Sequence, residues 1–238
     1  MRRIVSRVRA AVDDYKMISE GDKIAIGVSG GKDSLVLLRA LCDLKRFYPE
    51  GFELVAVTVD MRFGKKDGDF SAIKELCEEY GVDYVVKPTD LYEIIFEVRK
   101  EENPCALCAR MRRGILHDTA KQLGCNKIAL GHHLDDAAET FMMNLLLESR
   151  VGCFSPVTYL SRKDITMIRP LVYVREREAT AATERLSLPV VESECPANEK
   201  TKREDVKLLL DNLSKQFGDV PERIVGAMQR GEIDRWGK

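Results

Sequence analysis

Hydrophobic and polar positions along the chain switch repeatedly between a strand-like and a helix-like period. Residues 23–28 (KIAIGV) form a short apolar run, the pattern of a strand covered on both faces. Residues 32–47 follow with Leu35, Leu38, Leu41 and Leu44 near one helical face. A second strand over 53–60 (ELVAVTVD) is rich in β-branched residues. A helix over 69–80, a strand over 83–87, a helix over 108–123 closed by Gly124, and a strand over 127–130 continue the alternation. A helix over 135–149 carries Ala138, Phe141, Met142, Leu145 and Leu146 as its apolar stripe. This order predicts an α/β fold: a doubly wound parallel sheet with helices on both faces. Ligands of such sheets bind at the carboxyl ends of the strands. Beyond Arg150 the pattern loosens. Residues 156–171 read as a hairpin or extended segment, and 176–186, 202–217 and 221–229 as helices. We read one domain over 1–238, with an N-terminal helical segment over about 1–22 and a C-terminal helical extension over about 196–238.

Composition narrows the function classes. The 238 residues suffice for one large α/β domain, and 45% apolar with 32% charged residues argues against global disorder. Lys plus Arg number 38 and Asp plus Glu 39, a net charge of −1, which excludes a strongly basic nucleic-acid coat but not a local basic face. No apolar run approaches the roughly 18 residues of a membrane span. The start lacks a signal-peptide core, and Asp13 and Asp14 argue against a mitochondrial presequence, so a cytoplasmic protein is expected. Seven cysteines are too irregular for a disulfide framework and point to a reducing compartment. Cys42, Cys77, Cys125 and Cys153 have the settings of packed, hydrophobic thiols.

The candidate chemistry falls at strand ends. The first strand runs into Ser29-Gly30-Gly31-Lys32-Asp33-Ser34, where two glycines admit a close anion and the helix N-terminus offers N–H groups. Lys32 adds charge, and Asp33 is a magnesium partner or a helix cap. The spacing is not that of G-x-x-x-x-G-K-[ST]. After the fourth strand stand Gly131, His132, His133, Asp135, Asp136, Glu139 and Thr140. Asp136, Glu139 and Thr140 share a helix face, where a carboxylate can hold magnesium or position a nucleophile. Cys105 and Cys108 form a CxxC, and Cys195 stands apart in Glu194-Cys195-Pro196. Three thiolates suit a [4Fe-4S] cluster with one iron open, or a zinc site completed by His117 or water. Residues 99–113 hold five basic and two acidic residues, and Arg110, Arg112 and Arg113 are candidate RNA contacts. Arg2, Arg3, Arg7 and Arg9 form a second basic cluster. For both clusters the alternative is pairing with surface carboxylates.

The string 29–34 resembles the PP-loop of the N-type ATP pyrophosphatase superfamily, with its adenine nucleotide alpha hydrolase-like fold. The resemblance implies that Ser29, Gly30, Gly31, Lys32, Asp33 and Ser34 hold ATP phosphates. It also implies that Asp60 and Met61 lie near the adenine, that Gly131 and Asp136 border the nucleotide, and that Lys32 and Asp136 serve catalysis. GHHLDDAAET over 131–140 resembles a second signature of the tRNA-modifying branch. The CxxC before a basic helix, a third cysteine about 90 residues later, and Arg169-Pro170-Leu171 before Val174-Arg175-Glu176 resemble the tRNA 2-thiocytidine synthetase family. That implies a transferase that adenylates a cytidine C2 oxygen in the anticodon loop and replaces it with sulfur. Its cofactors would be ATP, Mg2+ and a [4Fe-4S] cluster on Cys105, Cys108 and Cys195. Its RNA contacts would be Arg110, Arg112, Arg113 and Arg169. Its partners would be tRNA, a cysteine desulfurase or other sulfur donor, and a second copy in a homodimer, with no membrane. Residues 151–159 depart from the family's glycine-rich stretch. The alternatives are thiolation of another base or of a uridine, a zinc enzyme carrying persulfide, and an ATP-binding iron–sulfur sensor.

Overall fold

A computed structural model of the chain describes residues 1–99, 104–191, 195 and 202–238. The elements, in chain order, are α1 (Arg2–Asp14), β1 (Asp22–Gly27), α2 (Lys32–Lys45), β2 (Phe52–Asp60), α3 (Ser71–Glu79), β3 (Asp83–Pro88) and α4 (Pro104–Gln122). They continue with β4 (Lys127–Ala129), α5 (Leu134–Leu147), β5 (Val157–Leu160), β6 (Ile165–Ile168), α6 (Glu176–Arg185), α7 (Lys202–Phe217) and α8 (Val220–Arg230). Residues 192–194 and 196–201, on which part of the expected C-terminal extension falls, lie outside the described residues, as do 100–103 of the basic segment.

The six strands form one sheet in the order β3-β2-β1-β4-β6-β5. Five run parallel, and β5 pairs antiparallel with β6 at the edge. The loose segment 156–171 is thus a hairpin whose second strand joins the parallel sheet beside β4. Strands β1, β2 and β3 step one way from the centre, and β4 then returns to the other side of β1. That reversal opens a crevice at the carboxyl ends of β1 and β4.

Alternate residues of β1 serve the two faces. Ile24 and Ile26 enter the larger core, and Ala25 packs beneath α4 with Val55, Val57 and Ile128. α2 is apolar over most of its circumference, with Leu35, Val36, Leu37, Leu38, Leu41 and Leu44 all buried. The single leucine face read from the sequence understates this, because α1 and α6 pack on its outer side. α5 departs the other way. Ala137 and Ala138 are buried, whereas Leu145 and Leu146 are exposed, so the expected stripe leaves the core in its last turn. Residues Glu93–Val98 form a π-helix that the periodicity does not predict, and its Ile95 packs with Met61 and Leu91. Three of the N-terminal arginines pair with carboxylates: Arg3 and Arg7 with Glu178 of α6, and Arg9 with Asp13.

Candidate active site

A cleft of about 590 Å3 lies over the crevice between β1 and β4. Its floor is the phosphate-type loop, its roof the α4 face formed by Ala109, Arg112, Arg113 and Leu116, and its far wall His132, Phe154 and Arg169.

The loop is curled by its own serines. The Ser29 N–H donates to Ser34 Oγ (3.1 Å), the Gly31 N–H to Ser29 Oγ (3.3 Å), and Ser34 Oγ donates to the Gly31 carbonyl (2.8 Å). Gly30 adopts φ +85°, a region that favours glycine. Its carbonyl accepts from Val191, and a Cβ would stand 3.0 Å from that of Val191. Gly131 presses on the same loop. A Cβ there would lie 3.1–3.2 Å from backbone atoms of Asp33 and Ser34, so the close approach expected for a ligand is made to the loop itself.

Lys32 Nζ lies 3.0 Å from Asp33 Oδ2 and 3.1 Å from Glu176 Oε1. Burial works against its charge, but Asp33 and Glu176 hold its pKa above the usual value. Glu176 also meets Lys207 Nζ at 2.8 Å. Burial opposes its ionisation, yet Lys207 and Lys32 hold the carboxyl down at about 2. Asp33 keeps one buried oxygen, Oδ1, without a hydrogen-bond partner.

His133 and Asp136 form a reciprocal cap at the start of α5: the Asp136 N–H donates to His133 Nδ1 (3.2 Å) and the His133 N–H to Asp136 Oδ2 (2.9 Å). Asp136, Glu139 and Thr140 share a face as expected, and one side chain gathers all three. Arg203 Nη1 reaches Asp136 Oδ1 (3.1 Å) and Glu139 Oε2 (3.0 Å), and Nη2 reaches Thr140 Oγ1 (3.3 Å). Glu139 is 4% exposed, and burial lifts its carboxyl to about 7. Asp135 is taken by Arg175 and by the Glu176 N–H.

Asp60 does not face the cleft. Its carboxylate accepts from the N–H groups of Arg62 (2.9 Å) and Gly68 (2.9 Å) and shapes the loop after β2. The Met61 side chain is buried, and its Sδ lies 4.0 Å from Cys108 Sγ. Cys105 is exposed, one turn before the half-buried Cys108. Burial pushes the Cys108 thiol up, Arg112 pulls it down, and Cys195 and Cys105 add to the rise, so the three thiols are electrostatic neighbours. Among the described residues no three His, Cys, Asp or Glu side chains, these thiols included, stand together as a metal-ion site. His117 cannot complete one with them, because nine helical residues place it about 13 Å along α4 from Cys108. The thiols of Cys42, Cys77, Cys125 and Cys153 are all raised by burial, as packed cysteines should be.

Arg112 and Arg113 line the cleft, and Arg110 lies on another face of α4 and is exposed. Arg169, expected as an RNA contact, lies in the cleft wall. It is 6% exposed, donates to the Ser155 carbonyl (2.5 Å) and to Thr158 Oγ1 (3.2 Å), and lies 4.9 Å from the Phe154 ring centre. The sequence placed Glu176 only within the Val174-Arg175-Glu176 segment and did not single out Arg203, Lys207 or Phe154. The spacing of Arg203 and Lys207 by four puts both on one helix face.

The chain is similar to known proteins over most of its length. A family model described as a PP-loop domain matches residues 2–212. A tRNA-cytidine(32) 2-sulfurtransferase of Geobacter sulfurreducens is 39% identical over 230 residues, covering 95% of this chain and 89% of that protein. One from Aliivibrio fischeri is 37% identical, covering 92% and 71%. Among solved structures, the U34-tRNA thiolase NcsA from Methanococcus maripaludis, with its [4Fe-4S] cluster, aligns with TM-score 0.75 and 28% identity over 94% of this chain and 77% of that one.

Proposed function

Because the chain belongs to the PP-loop family, and within it to the tRNA-cytidine(32) 2-sulfurtransferases, we propose that it uses ATP to replace the C2 oxygen of an anticodon-loop cytidine with sulfur. The observation that carries this reading is the shared cleft. Ser29, Asp33 and Ser34 form its floor, and the helix bearing Cys105 and Cys108 forms its roof. The helix that roofs the phosphate loop thus carries the thiols at its start, beside the cleft lining at Ala109.

In this reading the β- and γ-phosphates sit on residues 29–34, against the first-turn N–H groups of α2. The base oxygen attacks the α-phosphorus and pyrophosphate leaves. Lys32 stabilises the charge that develops on the leaving group. The adenine takes the β2 side, along Val57 and Val59, with the backbone at Asp60 and Met61 beyond. Asp33 is the carboxylate we assign to Mg2+, since its Oδ1 lacks a hydrogen-bond partner while both oxygens of Asp136 are engaged. Asp136 acts by fixing Arg203 and the entry to α5. Cys105, Cys108 and Cys195 are the thiols we assign to a [4Fe-4S] cluster, because both partners act electrostatically on Cys108; when bound, the cluster would supply an iron open to sulfur. We assign Arg110, Arg112 and Arg113 to RNA phosphates; Arg112 also bonds the Cys108 thiol and Arg113 the Ala109 carbonyl. A cysteine desulfurase or other donor supplies the sulfur, and two copies pair as a homodimer in the cytoplasm.

The test is nucleoside mass spectrometry of tRNA from a bacterial host lacking its own 2-thiocytidine enzyme. We expect 2-thiocytidine with the intact protein and none with Lys32→Ala or Cys105→Ala. Cys195→Ala should lose iron and labile sulfide while still binding ATP. Full iron retention would remove Cys195 from the ligand set. Thiolated uridine in place of thiocytidine would favour the second reading, for which the likeness to the U34-tRNA thiolase speaks.

A further inference from the structure

The phosphate loop lies at the end of β1, between β2 on one side and β4 and β6 on the other. An ATP seated on it can extend its adenine to one side only, and the apolar β2 side suits a purine. The group that attacks the α-phosphorus must then approach from the β4–β6 side. That side carries an aromatic wall. The Phe154 ring lies 5.1 Å from the His132 ring and 4.9 Å from the Arg169 guanidinium. Two polar atoms of the wall, His132 Nδ1 and Arg169 Nε, are buried without a hydrogen-bond partner. Such atoms are uncommon in folded chains and call for an explanation.

The wall is also held from behind. Trp236 Nε1–H donates to the Phe154 carbonyl (2.8 Å), and the Cys153 N–H donates to Asp234 Oδ2 (2.6 Å). Trp236 is fully buried. Phe154 is therefore an aromatic side chain on a loop pinned by a segment more than 80 residues away in sequence.

We propose that Phe154, His132 and Arg169 form the seat for the target nucleobase, on which the flipped cytosine stacks with its polar edge toward these two buried nitrogens. The proposal rests on the reading that the chain thiolates a tRNA base. A planar heteroaromatic with hydrogen-bonding edges matches an aromatic face flanked by polar atoms, as enzymes that act on flipped bases commonly provide. Burial, with Arg169 nearby, holds His132 well below its usual pKa, so its ring is uncharged at neutral pH and suits a neutral base. Arg169 thereby acts inside the cleft and not on the RNA backbone.

The test uses cluster-loaded protein, a non-hydrolysable ATP analogue, and tRNA carrying the fluorescent analogue pyrrolo-cytosine at position 32. The unaltered protein should change the fluorescence as the base leaves its stack. Phe154→Leu should weaken that response about tenfold, in line with loss of base–aromatic stacking. Its ATP-analogue affinity should stay within about twofold of the unaltered protein. Phe154→Tyr, which keeps the ring, should restore the response. No base signal with the unaltered protein, an unchanged signal in Phe154→Leu, or an equal fall in ATP-analogue affinity would each overturn the seat. Failure of the parent reading looks different: no thiolated nucleoside would form in the deletion host even with the unaltered protein.

Discussion

Gly131 has no room for a methyl group, because the backbone of Asp33 and Ser34 stands 3.1–3.2 Å from where a Cβ would be. Backbone cannot rotate aside as a side-chain tip can. Gly131→Ala should therefore cost about 1–3 kcal/mol and shift the phosphate loop. Thermal melts should show the first effect, and calorimetry with an ATP analogue should show weaker binding. Glu139 carries a pH signature. Burial lifts its carboxyl to about 7, with Arg203 opposing and Asp136 adding to the rise. The folded form thus binds an extra proton between the ordinary carboxyl value of 4.5 and about 7. Stability falls as pH rises through that window. Glu139→Gln removes the slope and should raise the urea midpoint relative to wild type at pH 8 but not at pH 5. A loss of similar size at both pH values would mean that Glu139 is ionised and needed by Arg203.

At the scale of elements, α7 is a clamp on the phosphate side of the cleft. Its Arg203 binds three side chains of α5, and its Lys207, one turn on, binds Glu176 at the start of α6, which in turn holds Lys32. Arg203→Leu should cost about 1 kcal/mol, a modest figure because its side chain is 43% exposed. The same change should raise the Glu139 titration further, since it removes the charge that opposes the rise. Titrating the carboxyl signal by infrared difference spectroscopy reads that shift, and an unchanged midpoint would show that Arg203 does not govern Glu139. α4 works in the other direction along the cleft. Its positions 109, 112, 113 and 116 line the cleft, and Cys108 lies against Met61. One helix thereby ties the cysteine-bearing end to the cleft.

For the whole molecule, the chain end reaches back to the cleft. Trp236 is buried among Tyr15 of the N-terminal region and Phe154 of the cleft wall, with ring centres 6.1 and 6.2 Å away. Trp236→Ala should cost about 3–5 kcal/mol, as large aromatic truncations do. At temperatures where the variant stays folded, tRNA affinity should fall further than ATP-analogue affinity, measured by filter binding and calorimetry. Equal losses would show that the buttress serves the whole fold and not the base side. By itself the sequence determined the parallel sheet, the glycine-bearing loop, the CxxC pair and the basic helix, because each is written in residues within a few positions of one another. Strand alternation, anion-binding loops and CxxC pairs are local physics, and hence legible. The tertiary structure alone decided that Asp60 turns into its own loop, that Arg169 is a cleft wall, and that Arg203, Glu176 and Lys207 brace the phosphate side. It likewise decided that Trp236 fixes Phe154. Each of these depends on a hydrogen bond, ion pair or ring contact set by the packing of the loop and helices, and no period or motif along the chain records which side chains that packing brings together.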